Sequence, residues 1–145
     1  MPESKFRFLT VAAVEAIHHE VLAAHGGMSG LRDRALLEAA VAAPQATYGG
    51  EAFIKDVIGI AEAYLFFLCR NHPFNDGNKR TALAVCLTFL EANEQLPDPN
   101  LPGEHIDEWE TLILDIAASR VDRAVATRRF RALLSSKPRP RGRTR

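Results

Sequence analysis

Apolar positions along this chain recur at three- and four-residue steps, the spacing of one face of a helix, and nowhere alternate with period two for long enough to build a sheet. From Thr10, a residue suited to an N-cap, Val11, Val14, Ile17, Val21 and Leu22 keep that spacing until Gly26-Gly27 ends it. A second helix is expected over Leu31 to Ala43, a run of good helix formers that stops before Pro44. Gln45 to Glu51, with Tyr48 among small polar residues and Gly49-Gly50, reads as an exposed loop with room for a small hairpin. Phe53 to Arg70 and Thr81 to Ala92 are apolar nearly all the way round, and a helix without a polar face is a buried one. Pro97, Pro99 and Pro102 interrupt helix in the next stretch. Ile106, Trp109, Leu112, Ile113 and Ile116 then form a one-sided stripe, and Val121 to Leu134 gives a last, highly charged helix. The expected fold is all-α, a bundle of about six helices around a buried central hairpin.

Composition changes this picture little. With 145 residues, 47% of them apolar, the chain is long enough to bury a core without disulfides or a structural metal. Cys69 and Cys86 lie among Leu, Phe, Val and Ala and are expected to be buried, reduced thiols. No run of 18 apolar residues occurs and the N-terminus lacks a secretory pattern, so a cytoplasmic address is expected. Charge is more informative. The 18 basic and 18 acidic residues cancel, but five of the basic ones (Lys137, Arg139, Arg141, Arg143, Arg145) fall in 135–145, which holds no acid. Without them the count is 13 basic against 18 acidic, a net charge of −5. The organisation expected is a folded domain over 1–134 and a basic, Pro-rich tail over 135–145 that is too short to fold. The acidic body excludes nucleic-acid binding through a broad basic face.

The densest polar segment, Arg70-Asn71-His72-Pro73-Phe74-Asn75-Asp76-Gly77-Asn78-Lys79-Arg80-Thr81, joins the two most apolar helices. One reading is an ordinary turn, with Asp76 capping the next helix. Against it, a helix starting near Gly77 or Asn78 places Lys79 and Arg80 in its first turn, where the dipole is already positive and free N–H groups point outward. An anion relieves that conflict. Free backbone donors, a glycine at Gly77 that admits close approach, the Lys79 charge and the Arg80 fork suit a polyphosphate. Pro73 drives His72 out of helical geometry, Phe74 can anchor the turn in the core, and a neutral imidazole near phosphate can take a proton from an attacking hydroxyl. Asp76 beside phosphates suits Mg²⁺. The arrangement is not a P-loop, since Lys79 follows Asn78 and precedes Arg80. His18, His19 and His25 carry no metal-binding spacing and read as an ordinary helix face, and Trp109 reads as core.

His72-Pro73-Phe74-Asn75-Asp76-Gly77-Asn78-Lys79-Arg80 resembles the motif of the Fic/Doc proteins, and Lys79 after Asn78 is similar to the Doc (death-on-curing) toxins of bacterial toxin–antitoxin modules. The resemblance runs from about Phe8 to Leu134 and includes Gly30-Leu31-Arg32-Asp33-Arg34 and Pro44 to Gly50. It implies a Fic/Doc-like helical bundle, with His72 as general base, Asp76 as the Mg²⁺ ligand, and Asn75, Gly77, Asn78, Lys79 and Arg80 around the phosphates of ATP. Asn78 with its neighbours would form the anion hole. Thr47, Tyr48 and Gly49 resemble the flap that docks the target peptide by its edge, although an ordinary solvent loop reads equally well. Arg32, Asp33 and Arg34 are expected to brace the fold through salt bridges, with antitoxin pairing as the other reading.

Two departures separate the chain from the AMP-transferring members. Lys79 stands where those have Gly, and Leu83 stands where they carry a second Arg. The Doc-type alternative is transfer of the γ-phosphate of ATP to a threonine of elongation factor Tu, arresting translation, and a protein kinase is therefore the first expectation. AMP transfer and a catalytically idle binding module are the alternatives. The inhibitory form Ser/Thr-x-x-x-Glu-Gly/Asn is absent, because no Glu here precedes Gly or Asn. Restraint is then expected from a separate Phd-like antitoxin, with DNA reached only through it.

Overall fold

The computed structural model describes residues 5–136, so most of the basic tail lies outside the described residues. The chain forms α1 (Val11–His25), α2 (Arg34–Ala42), a two-stranded hairpin of β1 (Thr47–Tyr48) and β2 (Glu51–Ala52), then α3 (Val57–Asn71), α4 (Asn78–Ala92), α5 (Ile106–Ala117) and α6 (Arg123–Leu134). Short 3₁₀ turns at Ala43–Gln45 and Gly103–His105 complete it. Among the described residues six helices form, four of them packed around a buried pair, the architecture that the apolar pattern anticipates.

The antiparallel pair α3 and α4 is the centre on which the other helices pack. Ten of the fifteen α3 residues are buried, so this helix has no solvent face. Its Tyr64, Leu65 and Leu68 join Phe89 and Leu90 of α4, Trp109, Leu112 and Ile116 of α5 and Phe130 of α6 in one core. Trp109 meets the Phe130 ring edge-on at 5.6 Å. Cys69 and Cys86 are buried free thiols, as expected, and burial pushes Cys69 up to about 12.

Helix starts are where the structure departs from the sequence pattern. Thr10 caps α1 through its side chain, as expected. Helix α2, however, begins at Arg34 rather than Leu31, because Asp33 caps it by accepting from Leu36 N–H and Leu31 forms a bridge with Phe74. Phe53 is exposed and α3 starts only at Val57. Helix α4 starts at Asn78, one turn before its apolar run, and α6 starts at Arg123 behind the Asp122 cap.

One charged group breaks the apolar rule of α3. Glu62 is completely buried, and one of its oxygens accepts from the Arg123 guanidinium and from Thr127 Oγ1 at 2.9 Å, both on α6. Burial holds its carboxyl above the usual range against the opposing pull of Arg123. Arg123→Ala strands this carboxylate and is expected to destabilise the protein by roughly 3 kcal/mol in urea unfolding, whereas removing the exposed Lys55–Glu51 pair by Lys55→Ala is expected to cost less than about 1 kcal/mol.

Candidate functional site at the start of helix α4

The chain reverses between α3 and α4 in six residues, and every one is held. His72 closes α3 in the left-handed conformation (φ 51°, ψ 55°), with Pro73 immediately after it. Phe74 is buried, and its backbone N–H and C=O are both taken by the side-chain amide of Asn78, each at 2.9 Å. Asn75 donates from its amide to Ser29 C=O at 3.0 Å and from its backbone to Gly30 C=O at 3.0 Å. Gly77, also left-handed (φ 77°), precedes α4. A Cβ there would sit 3.2 Å from Leu22 of α1, so the glycine is demanded by packing and backbone conformation.

The outer side of this turn is polar and open. The backbone N–H groups of Asn78, Lys79 and Arg80 begin α4 and have no intrahelical partners by geometry. Lys79 and Arg80 are exposed in the same turn, which carries no acidic residue, and neither forms an ion pair among the described residues. The Asp76 carboxylate accepts Gly77 N–H on one oxygen at 2.9 Å and Met28 N–H on the other at 3.1 Å. These two bonds hold it below the ordinary carboxylate range, with smaller help from His18 and Arg80. Asp76 is therefore ionised and faces solvent. His72 is exposed as well, and partial burial lowers its imidazole below the ordinary value, with further lowering by Arg32 and Lys79 against the opposing Asp76. A neutral imidazole, an ionised carboxylate, free N–H groups and two cations thus share one surface.

Residues 8–90 match the family model described as Fic/DOC family, which is more than half of the chain. The chain belongs to the Fic/DOC family. It is 52% identical over 71 residues to "Toxin Doc" of Mycolicibacterium smegmatis, a stretch covering 48% of this chain and 54% of that protein. It is 36% identical over 87 residues to "Protein kinase doc" of Escherichia phage P1, covering 60% of this chain and 68% of that protein. The match therefore spans about half the length of the first relative and two thirds of the second.

Within the Fic/DOC motif, the structure divides the expected site residues by what each has free. His72, Asp76, Lys79 and Arg80 present their side chains on the open surface. Asn78 does not, because it is buried, with its amide oxygen accepting Phe74 N–H and its amide nitrogen donating to Phe74 C=O. Asn75 likewise has its amide nitrogen committed to Ser29. The flap residues Thr47, Tyr48 and Gly49 form the exposed hairpin β1–β2, and no hydrogen bond ties it to the 72–80 segment among the described residues. Two grooves of about 370 and 320 Å³, one between α5 and α6 and the other beside Phe53 and α6, contain no motif residue.

Several supporting residues escaped the sequence reading. His18 was expected on an ordinary helix face, yet it is buried, donates from Nε2 to Asp76 C=O at 2.8 Å and stacks on Phe74 with ring centroids 3.7 Å apart. Its position between Val14 and Leu22, four residues from each, was the available signal. Gly27 and Gly30 lie against Asp76 and Asn75 so closely that a Cβ would stand 2.9 Å from either side chain. Arg32 makes hydrogen bonds to carbonyls of the turn and not the salt bridge expected of it, whereas Arg34 does pair with Glu15 and Glu38. His18→Ala removes both the stack and the donor, and urea unfolding is expected to register a loss of about 2 kcal/mol.

Proposed function

We propose that this chain is a Doc-type toxin that transfers the γ-phosphate of ATP to a hydroxyl of a protein of the translation machinery, elongation factor Tu by resemblance. The observation that carries the reading is the pairing of an exposed, neutral His72 with a helix start whose free N–H groups are reinforced by Lys79 and Arg80. In this reading the phosphates lie over the start of α4, where they relieve the conflict between two cations and the positive helix end. His72 accepts the proton as the hydroxyl oxygen attacks the γ-phosphorus. The new O–P bond replaces the bridge to the β-phosphate, and ADP leaves.

Asp76 suits Mg²⁺ as a single ligand. Its carboxylate is exposed, ionised and oriented by two backbone donors, and no cluster of three metal-ligating side chains forms among the described residues. A hard, one-carboxylate position that relies on phosphate oxygens for the remaining ligands matches Mg²⁺ bound together with a nucleotide. The bound ion would neutralise charge on the phosphates. Lys79 fills the space that the AMP-transferring members leave at a glycine, and Leu83 packs against the core instead of reaching a phosphate. Both features favour phosphate transfer over AMP transfer. The name "Protein kinase doc" of the phage P1 relative agrees with this direction. A Phd-like antitoxin is the proposed restraint and the cytoplasm the proposed site of action. No helix among the described residues is long and apolar enough to cross a membrane, which is compatible with that address.

Intact-mass measurement of elongation factor Tu after incubation with this protein, Mg²⁺ and ATP is expected to show addition of one phosphate; an AMP adduct would replace the kinase reading by the adenylyltransferase one. His72→Ala is expected to lower the transfer rate by about 10²–10⁴-fold. If the variant arrests growth as strongly as the parent, the idle-binding reading prevails. Because the imidazole is lowered, its base form persists into mild acid. The rate should therefore rise with pH through a midpoint below the ordinary imidazole value of 6.5 and then level off.

A further inference from the structure

Arg32 meets three consecutive carbonyls, at the last residue of α3 and the first two of the turn. Its backbone N–H donates to Pro73 C=O at 2.7 Å, its Nε to His72 C=O at 2.6 Å and its Nη2 to Asn71 C=O at 2.9 Å. The neighbouring strap repeats the contact, with Asp33 N–H also on Pro73 C=O and the Leu31–Phe74 bridge beside it. These carbonyls include ones that the end of a helix leaves without intrahelical partners. A guanidinium at a helix C-terminus also opposes the negative end of the dipole. His72, the residue so held, adopts a left-handed conformation that an L side chain rarely takes.

We propose that Arg32 is the positioning residue for His72, locking the left-handed end of α3 with its planar fork so that the imidazole stands beside the start of α4. The proposal rests on the reading of His72 as the general base. Arg32 does not touch substrate and acts only through His72. Its cation also lies near enough to the imidazole to disfavour a second positive charge there. The other charges acting on that ring are Lys79 and Asp76, from the first turn of α4 and the turn before it.

The test is an NMR pH titration of the His72 ring in the Mg²⁺-free, nucleotide-free protein, its resonance assigned by loss in His72→Ala. Arg32→Gln is expected to raise the His72 midpoint and to move the acid limb of the transfer rate upward with it. Arg32→Lys keeps the charge and loses the fork, so its midpoint should stay with the parent while kcat falls about tenfold at unchanged KM for ATP. An unchanged midpoint in Arg32→Gln overturns the proposal. So does an Arg32→Lys variant with parental kcat, and this second arm remains informative if Arg32→Gln does not fold. Should the midpoint shift as expected in a parent that transfers no phosphate, the reading of His72 as base fails while the coupling of Arg32 to His72 stands.

Discussion

Helices α3 and α4 must be antiparallel neighbours to bury each other, and the chain has only six residues in which to turn between them. Two left-handed residues, His72 and Gly77, make the reversal possible, and Phe74 tethers its middle to the core. Such a turn has little internal bonding of its own. Most of its polar groups are met from outside, by His18 of α1, by Met28 and Gly30 in the connection after α1, and by Arg32 and Asp33 before α2. The two N-terminal helices are therefore as much the frame of the turn as a part of the bundle.

That division of labour separates the inside of the motif from its outside. Phe74 and the Asn78 amide face inward and bond each other. Asp76, Lys79, Arg80 and the His72 ring face outward and keep their chemistry available. One stretch of nine residues thus serves as hydrophobic anchor and as polar surface, which accounts for its mixture of Pro, Phe, Asn and charged residues better than either role alone.

The helices were legible because their stripes are wide and their breakers strong: Gly26-Gly27 ends α1, and the prolines clear the stretch before α5. Helix starts were less legible, since local propensity is overridden by tertiary contacts of Leu31 with Phe74, of Arg32 with His72 and Pro73, and of Phe53 with Tyr48 of the flap. Within the site, sequence identified the exposed chemistry because charge and turn residues stand out among apolar helices. It could not distinguish which donors are already spent. Asn75 and Asn78 read alike as phosphate-facing amides, and only the fold reveals their commitment to Ser29 and Phe74. Likewise Glu62 lies in an apolar run with nothing nearby in sequence to announce Arg123 and Thr127, sixty or more residues away.

Bonding within the turn also governs how its amides meet solvent. The amide protons of Phe74 and Asn75 are bonded to the Asn78 side chain and to Gly30 C=O, partners fixed by the surrounding fold, whereas those of Lys79 and Arg80, both exposed, open the helix with none. Solvent hydrogen reaches the second set at any moment but the first set only when the turn lets go of its frame. Adjacent amides in one segment therefore report on two different events, the occupancy of a surface and the opening of the bundle beneath it.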